Sequence, residues 1–185
     1  MASTAYGQRP PDYTVKILAY FDAETLATFA HQVNAYADLR ASLEPGLPPL
    51  RVTAIPDEID QAENALGARI RRARATARQG DIFTPTIQKQ IRKMLGVEAD
   101  KGTLASLFDD NPGAFRFSVN GTYPKHKPVS TVPPNLLQLL PPLPDGMEYR
   151  FVGRDLILRD MRANIILDEV HHAIRCEHCL IGERP

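Results

Sequence analysis

Residues 148–169 read Glu-Tyr-Arg-Phe-Val-Gly-Arg-Asp-Leu-Ile-Leu-Arg-Asp-Met-Arg-Ala-Asn-Ile-Ile-Leu-Asp-Glu. Tyr149 to Val152 alternates apolar and polar side chains, the period of a strand with one buried face. Gly153, Arg154 and Asp155 follow as a turn, with Gly153 free to adopt positive φ. Leu156 to Leu158 is a second β-prone run. Residues 160–164 turn again, and Asn164 tolerates the left-handed region. Ile165 to Leu167 is the third run. Short loops between neighbouring runs favour antiparallel pairing, so the stretch predicts a three-stranded β-meander. Such a sheet is marginal alone and needs a covered face.

The cover comes from upstream. Residues 22–44 predict a helix, with Asp22 as N-cap and a stripe of Leu26, Phe29, Val33, Tyr36, Leu39 and Leu43. Pro45 and Gly46 end it. Pro56, Asp57 and Glu58 open a second helix, with Ile59, Ala62, Leu66, Ile70, Ala73 and Ala77 on its stripe and Gly80 as its stop. Similar lengths and a proline-bearing connection over residues 47–55 predict an antiparallel helical hairpin. Thr84 and Pro85 start a third helix that buries Ile87, Ile91, Met94 and Leu95 and ends at Gly96. Residues 103–108 predict a short helix. Residues 115–119 alternate cleanly and predict a further strand, closed by Asn120 and Gly121. Residues 123–131 form a basic, proline-bounded loop, and residues 134–140 give one or two helical turns. Helices first and strands last, without βαβ alternation, predict an α+β fold. The expected organisation is an arm over residues 1–12, one domain over 13–170 and a tail over 171–185. Periodicity leaves open whether residues 13–21 form a strand or lead into a helix.

Composition narrows the functions. With 185 residues and 43% hydrophobic side chains, the chain can build a real core. Its 22 basic and 22 acidic side chains cancel, and no aromatics interleave with its arginines, which argues against nucleic acid as a partner. No apolar run approaches the roughly 20 residues of a membrane helix. Two cysteines do not make a disulfide scaffold. The chain contains no P-loop, dinucleotide-binding glycine pattern, nucleophile elbow or His-Glu-x-x-His, so nothing gives reason to name a reaction.

Two groups of side chains carry candidate chemistry. The denser is His171, His172, Cys176, His178 and Cys179. Imidazole and thiolate are ligands for zinc, nickel or copper, and a C-x-x-C pair can clasp one ion. His178 lies between the cysteines, which excludes c-type haem attachment. The plain alternative is a tail with incidental Cys and His. The second group is Arg71, Arg74 and Arg78, which on a continuous helix share one face and would grip an anion. The plain alternative there is a set of cations favoured by the helix C-terminus.

Residues 70–85, Val119-Asn120-Gly121-Thr122-Tyr123-Pro124, residues 130–137 and residues 148–168 together resemble a family of small uncharacterised bacterial proteins, usually made with an export leader. The resemblance implies an exported, single-domain protein. Together with the missing catalytic motifs it leads to an expected non-enzymatic protein with a binding or envelope-assembly role, the alternative being a metal-binding or metal-homeostasis protein that uses the C-terminal Cys/His cluster. The meander, with its Tyr, Gly-x-Asp and turn-then-apolar strand, is similar to periplasmic proteins of nickel and cobalt homeostasis. On these grounds the expected location is periplasmic or secreted if a leader was removed, and cytoplasmic as written. The long helical stripes also lead to an expected homodimer through the hairpin, beside a protein partner of unknown kind.

Overall fold

The structure, a computed structural model, describes residues 16–48 and 55–174. Among the described residues, after a short helical stretch over 16–18, come α1 (Ala23–Leu43), α2 (Pro56–Ala73), α3 (Pro85–Glu98), α4 (Lys101–Asp109), α5 (Pro134–Leu137), β1 (Met147–Val152), β2 (Asp155–Asp160) and β3 (Ile165–Val170). The strands form one antiparallel sheet in the order β1-β2-β3. This is the α+β architecture with a C-terminal meander. The arm expected over residues 1–12, and residues 13–15, lie outside the described residues, as do residues 49–54 of the α1–α2 connection. Residues 16–18 are helical, and Ile17 and Phe21 are buried in the core.

Local chemistry explains the meander. Val152 pairs with Asp155, leaving a two-residue turn in which Gly153 takes φ 59°. In the second turn, Asp160 Oδ1 accepts from Arg162 N (2.7 Å) and Ala163 N (3.1 Å), and Asn164 takes φ 51°. A β-bulge interrupts β2–β3. Arg159 pairs with Ile166 and Leu158 with Asp168, so Leu167 is the extra residue. The bulge lets Leu167 and Asp168 both face the helices.

The helical layer covers one face of the sheet. Phe29 and Val33 of α1, Leu66 and Ile70 of α2, and Ile87, Ile91 and Met94 of α3 share a core with Tyr149, Phe151, Leu156, Leu158 and Leu167. Phe83 bridges the layers, stacked on Phe29 at 5.8 Å and on Tyr149 at 6.3 Å. A smaller cluster of Val152, Ile157, Ile166 and Tyr123, flanked by Phe115 and Phe117, covers the other face.

α1 and α2 form the hairpin with an offset. Arg69 Nη1 donates to the carbonyls of Leu43 (2.9 Å) and Pro45 (2.8 Å), while Arg74 lies 5.2 Å over the Tyr36 ring. The chains therefore run antiparallel, with the second half of α1 beside the second half of α2. At Gly67, a Cβ would meet the Ala163 carbonyl at 3.0 Å, so α2 sits close against the β2–β3 turn. The central members of both stripes are spent inside this core. No helix among the described residues is long and apolar enough to cross a membrane.

Three expected elements are corrected. α2 stops at Ala73, not near Gly80, and Ala73 is exposed. Contacts distant in sequence draw the chain away: the Arg74 carbonyl accepts from Asn120 Nδ2, and Asp168 holds the amides of Gly80, Ile82 and Phe83. α3 runs through Gly96 to Glu98, whose carboxylate then accepts from the Tyr20 hydroxyl. A helical glycine costs only about 1 kcal/mol, which such a contact offsets. Residues 115–119 are not a strand. Their side chains alternate in burial as expected, but the backbone pairs one step later. Asn120 N donates to Ile166 O (2.8 Å), Ile166 N to Gly121 O (2.9 Å), and Thr122 bridges Ile165.

The start of α1 supplies a pH test. Asp22 accepts from Thr25 N (2.8 Å) and Thr25 Oγ1 (2.9 Å), and these bonds, with one from Gln90, hold its carboxyl below the ordinary range. A depressed carboxyl stabilises the fold above its unfolded value and loses that contribution as pH falls through the folded value. Asp22→Ala is therefore expected to lower the melting temperature at neutral pH. The gap from wild type should narrow as pH falls below the ordinary carboxylate range. A pH-independent gap in paired melting curves would show that the charge is not what caps the helix.

Candidate metal centre

Antiparallel pairing brings the start of β2 beside the end of β3. Leu156 pairs with Val170 and Ile157 with Glu169, which sets Asp155 next to His171. Residues two apart along a strand share a face, so Asp155 and Ile157 lie on the same side as Glu169 and His171. The bulge decides this register. Without it, Asp155 would stand across from Val170.

Asp155, Glu169 and His171 converge. His171 Nδ1 lies 3.3 Å from Asp155 Oδ2, and His171 Nε2 lies 3.4 Å from Glu169 Oε1. One ligand atom from each residue falls within 4.8 Å of the others. The backbone fixes the histidine. Arg92 of α3 donates to the His171 carbonyl from Nε (3.1 Å) and Nη2 (2.9 Å). Asp155 Oδ1 accepts from His172 N (2.7 Å), and His172 takes φ 46°. Beyond it Ala173 and Ile174 are buried, and Ile174 N donates to Arg154 O (3.2 Å). Packing against the sheet thus continues to Ile174.

Glu169 is the unusual member. It is 7% exposed, and its Oε2 is buried without a hydrogen-bond partner among the described residues. Burial pushes its carboxyl above the ordinary value of 4.5. His171 works against that rise, while Asp155 and Asp168 add to it. An unpartnered buried carboxylate oxygen is costly unless a cation meets it. Two carboxylates and one imidazole thus bring together donor types that a divalent transition metal accepts.

Of the residues named from sequence, His171 lies in this centre. His172 is exposed beside it, the two rings 6.3 Å apart. Cys176, His178 and Cys179 lie outside the described residues. No sequence signal joins Asp155 and Glu169 to His171, because their meeting depends on the register.

The arginines are not assembled into one site. Arg71 Nη1 donates to Thr122 Oγ1 (3.2 Å). Arg74 donates to Asn120 Oδ1 (3.4 Å) and Leu167 O (3.2 Å), and burial lowers its pKa. Arg78 lies past the end of α2, where its backbone N donates to Asp81. The helix that was to align the three on one face ends too soon.

The chain matches no protein-family profile, no curated protein and no solved structure.

Proposed function

We propose that this chain binds a divalent transition-metal ion through Asp155, Glu169 and His171 and serves a metal-handling role without catalysis. The observation that carries the reading is the buried, unpartnered Glu169 oxygen beside a second carboxylate and an imidazole. The cation would supply the charge that Glu169 lacks. Mixed oxygen and nitrogen donors suit zinc or nickel, whereas copper(I) favours thiolates such as Cys176 and Cys179. An exported, periplasmic location belongs to the same proposal. Fractionation of the native gene product tests it, and wholly cytosolic protein would reject it.

Thermal melting tests the site. At a hundredfold excess over Kd, zinc adds about 2.7 kcal/mol to stability. For a chain of this size that raises Tm by about 5–10 °C. Glu169→Gln keeps the shape, removes the charge and is expected to abolish the shift. Loss of fold will not account for this result. A carboxyl raised in the folded state contributes stability while protonated in both states. That contribution fades as pH rises from 4.5 through the folded value. Metal-free Glu169→Gln should therefore melt no lower than wild type at neutral pH. An equal zinc shift in both proteins would reject the site.

A further inference from the structure

A groove of about 1160 Å³ lies between α3 and residues 18–22, with Lys101 and Leu104 of α4 also lining it. Small-molecule pockets typically enclose about 300–1,000 Å³, so this one has room for a short peptide segment. Its lining is basic. Lys89, Arg92, Lys93 and Lys101 border it beside a single carboxylate, Asp22. That carboxylate is already occupied by donors from Thr25 and Gln90. Leu18, which is 51% exposed, adds an apolar surface.

The chain as a whole carries no net charge, so this is a local concentration of one sign. The helix dipole does not account for it, since α3 has no basic residue in its last turn, where cations are favoured. Lys89 and Lys93 stand four residues apart, about 6 Å along the axis, a spacing at which like charges repel. Both are exposed, as is Lys101. Among the described residues none of the three lysines forms an ion pair. Arg92 is spent elsewhere, with Nε and Nη2 on the His171 carbonyl.

We propose that this groove binds an acidic peptide segment of a partner protein, its carboxylates meeting Lys89, Lys93 and Lys101 and an apolar side chain covering Leu18. Charge complementarity carries the inference. Lysine ammoniums on flexible stems suit separate carboxylates along a chain. A phosphate is best gripped by the bidentate fork of arginine, and the one arginine here is turned to His171. A membrane surface is flat and would meet only the rim of a groove.

Fluorescence anisotropy of the full chain with a labelled peptide of glutamates and leucines tests this. Binding should saturate and should weaken as ionic strength rises. Lys89→Gln/Lys93→Gln should weaken it about tenfold, the combined loss of two exposed charge pairs. Glutamine matches lysine in helix propensity and both sites are exposed, so the fold is kept. Leu18→Ser should weaken binding as well. Arg72→Gln/Arg78→Gln, at exposed positions outside the groove, should leave it unchanged. Absence of binding in wild type overturns the proposal. So does full affinity in either the lysine or the Leu18 variant, or an equal loss in the arginine variant. Tighter binding to phosphatidylserine vesicles or to inorganic phosphate, lost in the same lysine variant, also overturns it, because the groove would then serve a membrane or a small anion.

Discussion

Replacing Asp168 by alanine is expected to destabilise the protein by about 3–5 kcal/mol, the cost of breaking a buried charged network. For this chain length Tm should fall by about 10 °C or more. Asp168 is fully buried within β3, where it pairs with Leu158 of β2. Its Oδ1 accepts from Gly80 N (2.9 Å) and Glu169 N (2.8 Å), and its Oδ2 from Ile82 N (2.8 Å) and Phe83 N (2.7 Å). Four backbone donors thus depend on one carboxylate. Three belong to the loop that places Phe83 between α1 and β1. Without the carboxylate these buried N–H groups lose their acceptor, and each lost partner costs about 1–3 kcal/mol. Asp168→Asn separates charge from shape. Its amide would turn an NH2 toward backbone N–H groups, donor against donor. It should therefore fall nearly as far as Asp168→Ala. A variant that melts within a few degrees of wild type would show that the loop is held by packing alone.

Asp160→Ala is the second large loss, also about 3–5 kcal/mol. Arg40 is buried on α1, and its Nη1 lies 3.2 Å from Asp160 Oδ2, which also accepts from the Tyr36 hydroxyl at 2.5 Å. Burial, with the Asp160 charge beside it, pushes the Tyr36 hydroxyl far above the usual phenol range, so it remains a donor. Arg40 Nη2 donates to the Asp145 carbonyl (2.6 Å). The next residue, Gly146, has φ 81°, and a Cβ there would lie 2.9 Å from Arg40 Nη1. Asp160→Ala leaves the Arg40 guanidinium with the Asp145 carbonyl and the Glu44 carboxylate, 3.9 Å from its Nε, and removes the acceptor for Arg162 N and Ala163 N. Arg40→Met should cost less, because Asp160 keeps three donors. The Arg40→Met/Asp160→Asn double variant should recover part of the Asp160→Ala loss. Additive losses of Arg40→Met and Asp160→Asn in denaturant titrations would argue against a coupled pair.

The meander was legible because its signals are local. Gly153 and Asn164 take the positive φ that their residue types announce, and the alternation of Tyr149 to Val152 shows which face is buried. The cap at Asp22 was legible for the same reason, whereas Thr84 opens its helix without a side-chain cap bond. What sequence could not show lies in contacts distant along the chain. Residues 74–78 contain good helix formers, yet Asn120 takes hold of the backbone at Arg74, and Asp168 holds it just beyond, at Gly80, Ile82 and Phe83. Arg40 looks like a surface residue one step off the stripe until Asp160 is found beneath it. The candidate centre depends on a one-residue bulge at Leu167, which no propensity marks. A straight ladder counted from the second turn sets Asp155 opposite Val170, and only the bulged one sets it beside His171.

Calorimetric titration of the reduced, full-length protein with zinc addresses the centre most directly, run beside Glu169→Gln and Cys176→Ser/Cys179→Ser. Binding of one ion per chain is predicted for wild type and for the cysteine variant. Glu169→Gln should lose more than the roughly 10–100-fold that removal of a supporting residue costs a metal site. Wild-type affinity in Glu169→Gln, or zinc binding that disappears only with the cysteines, would contradict the assignment of Asp155, Glu169 and His171 as the metal centre.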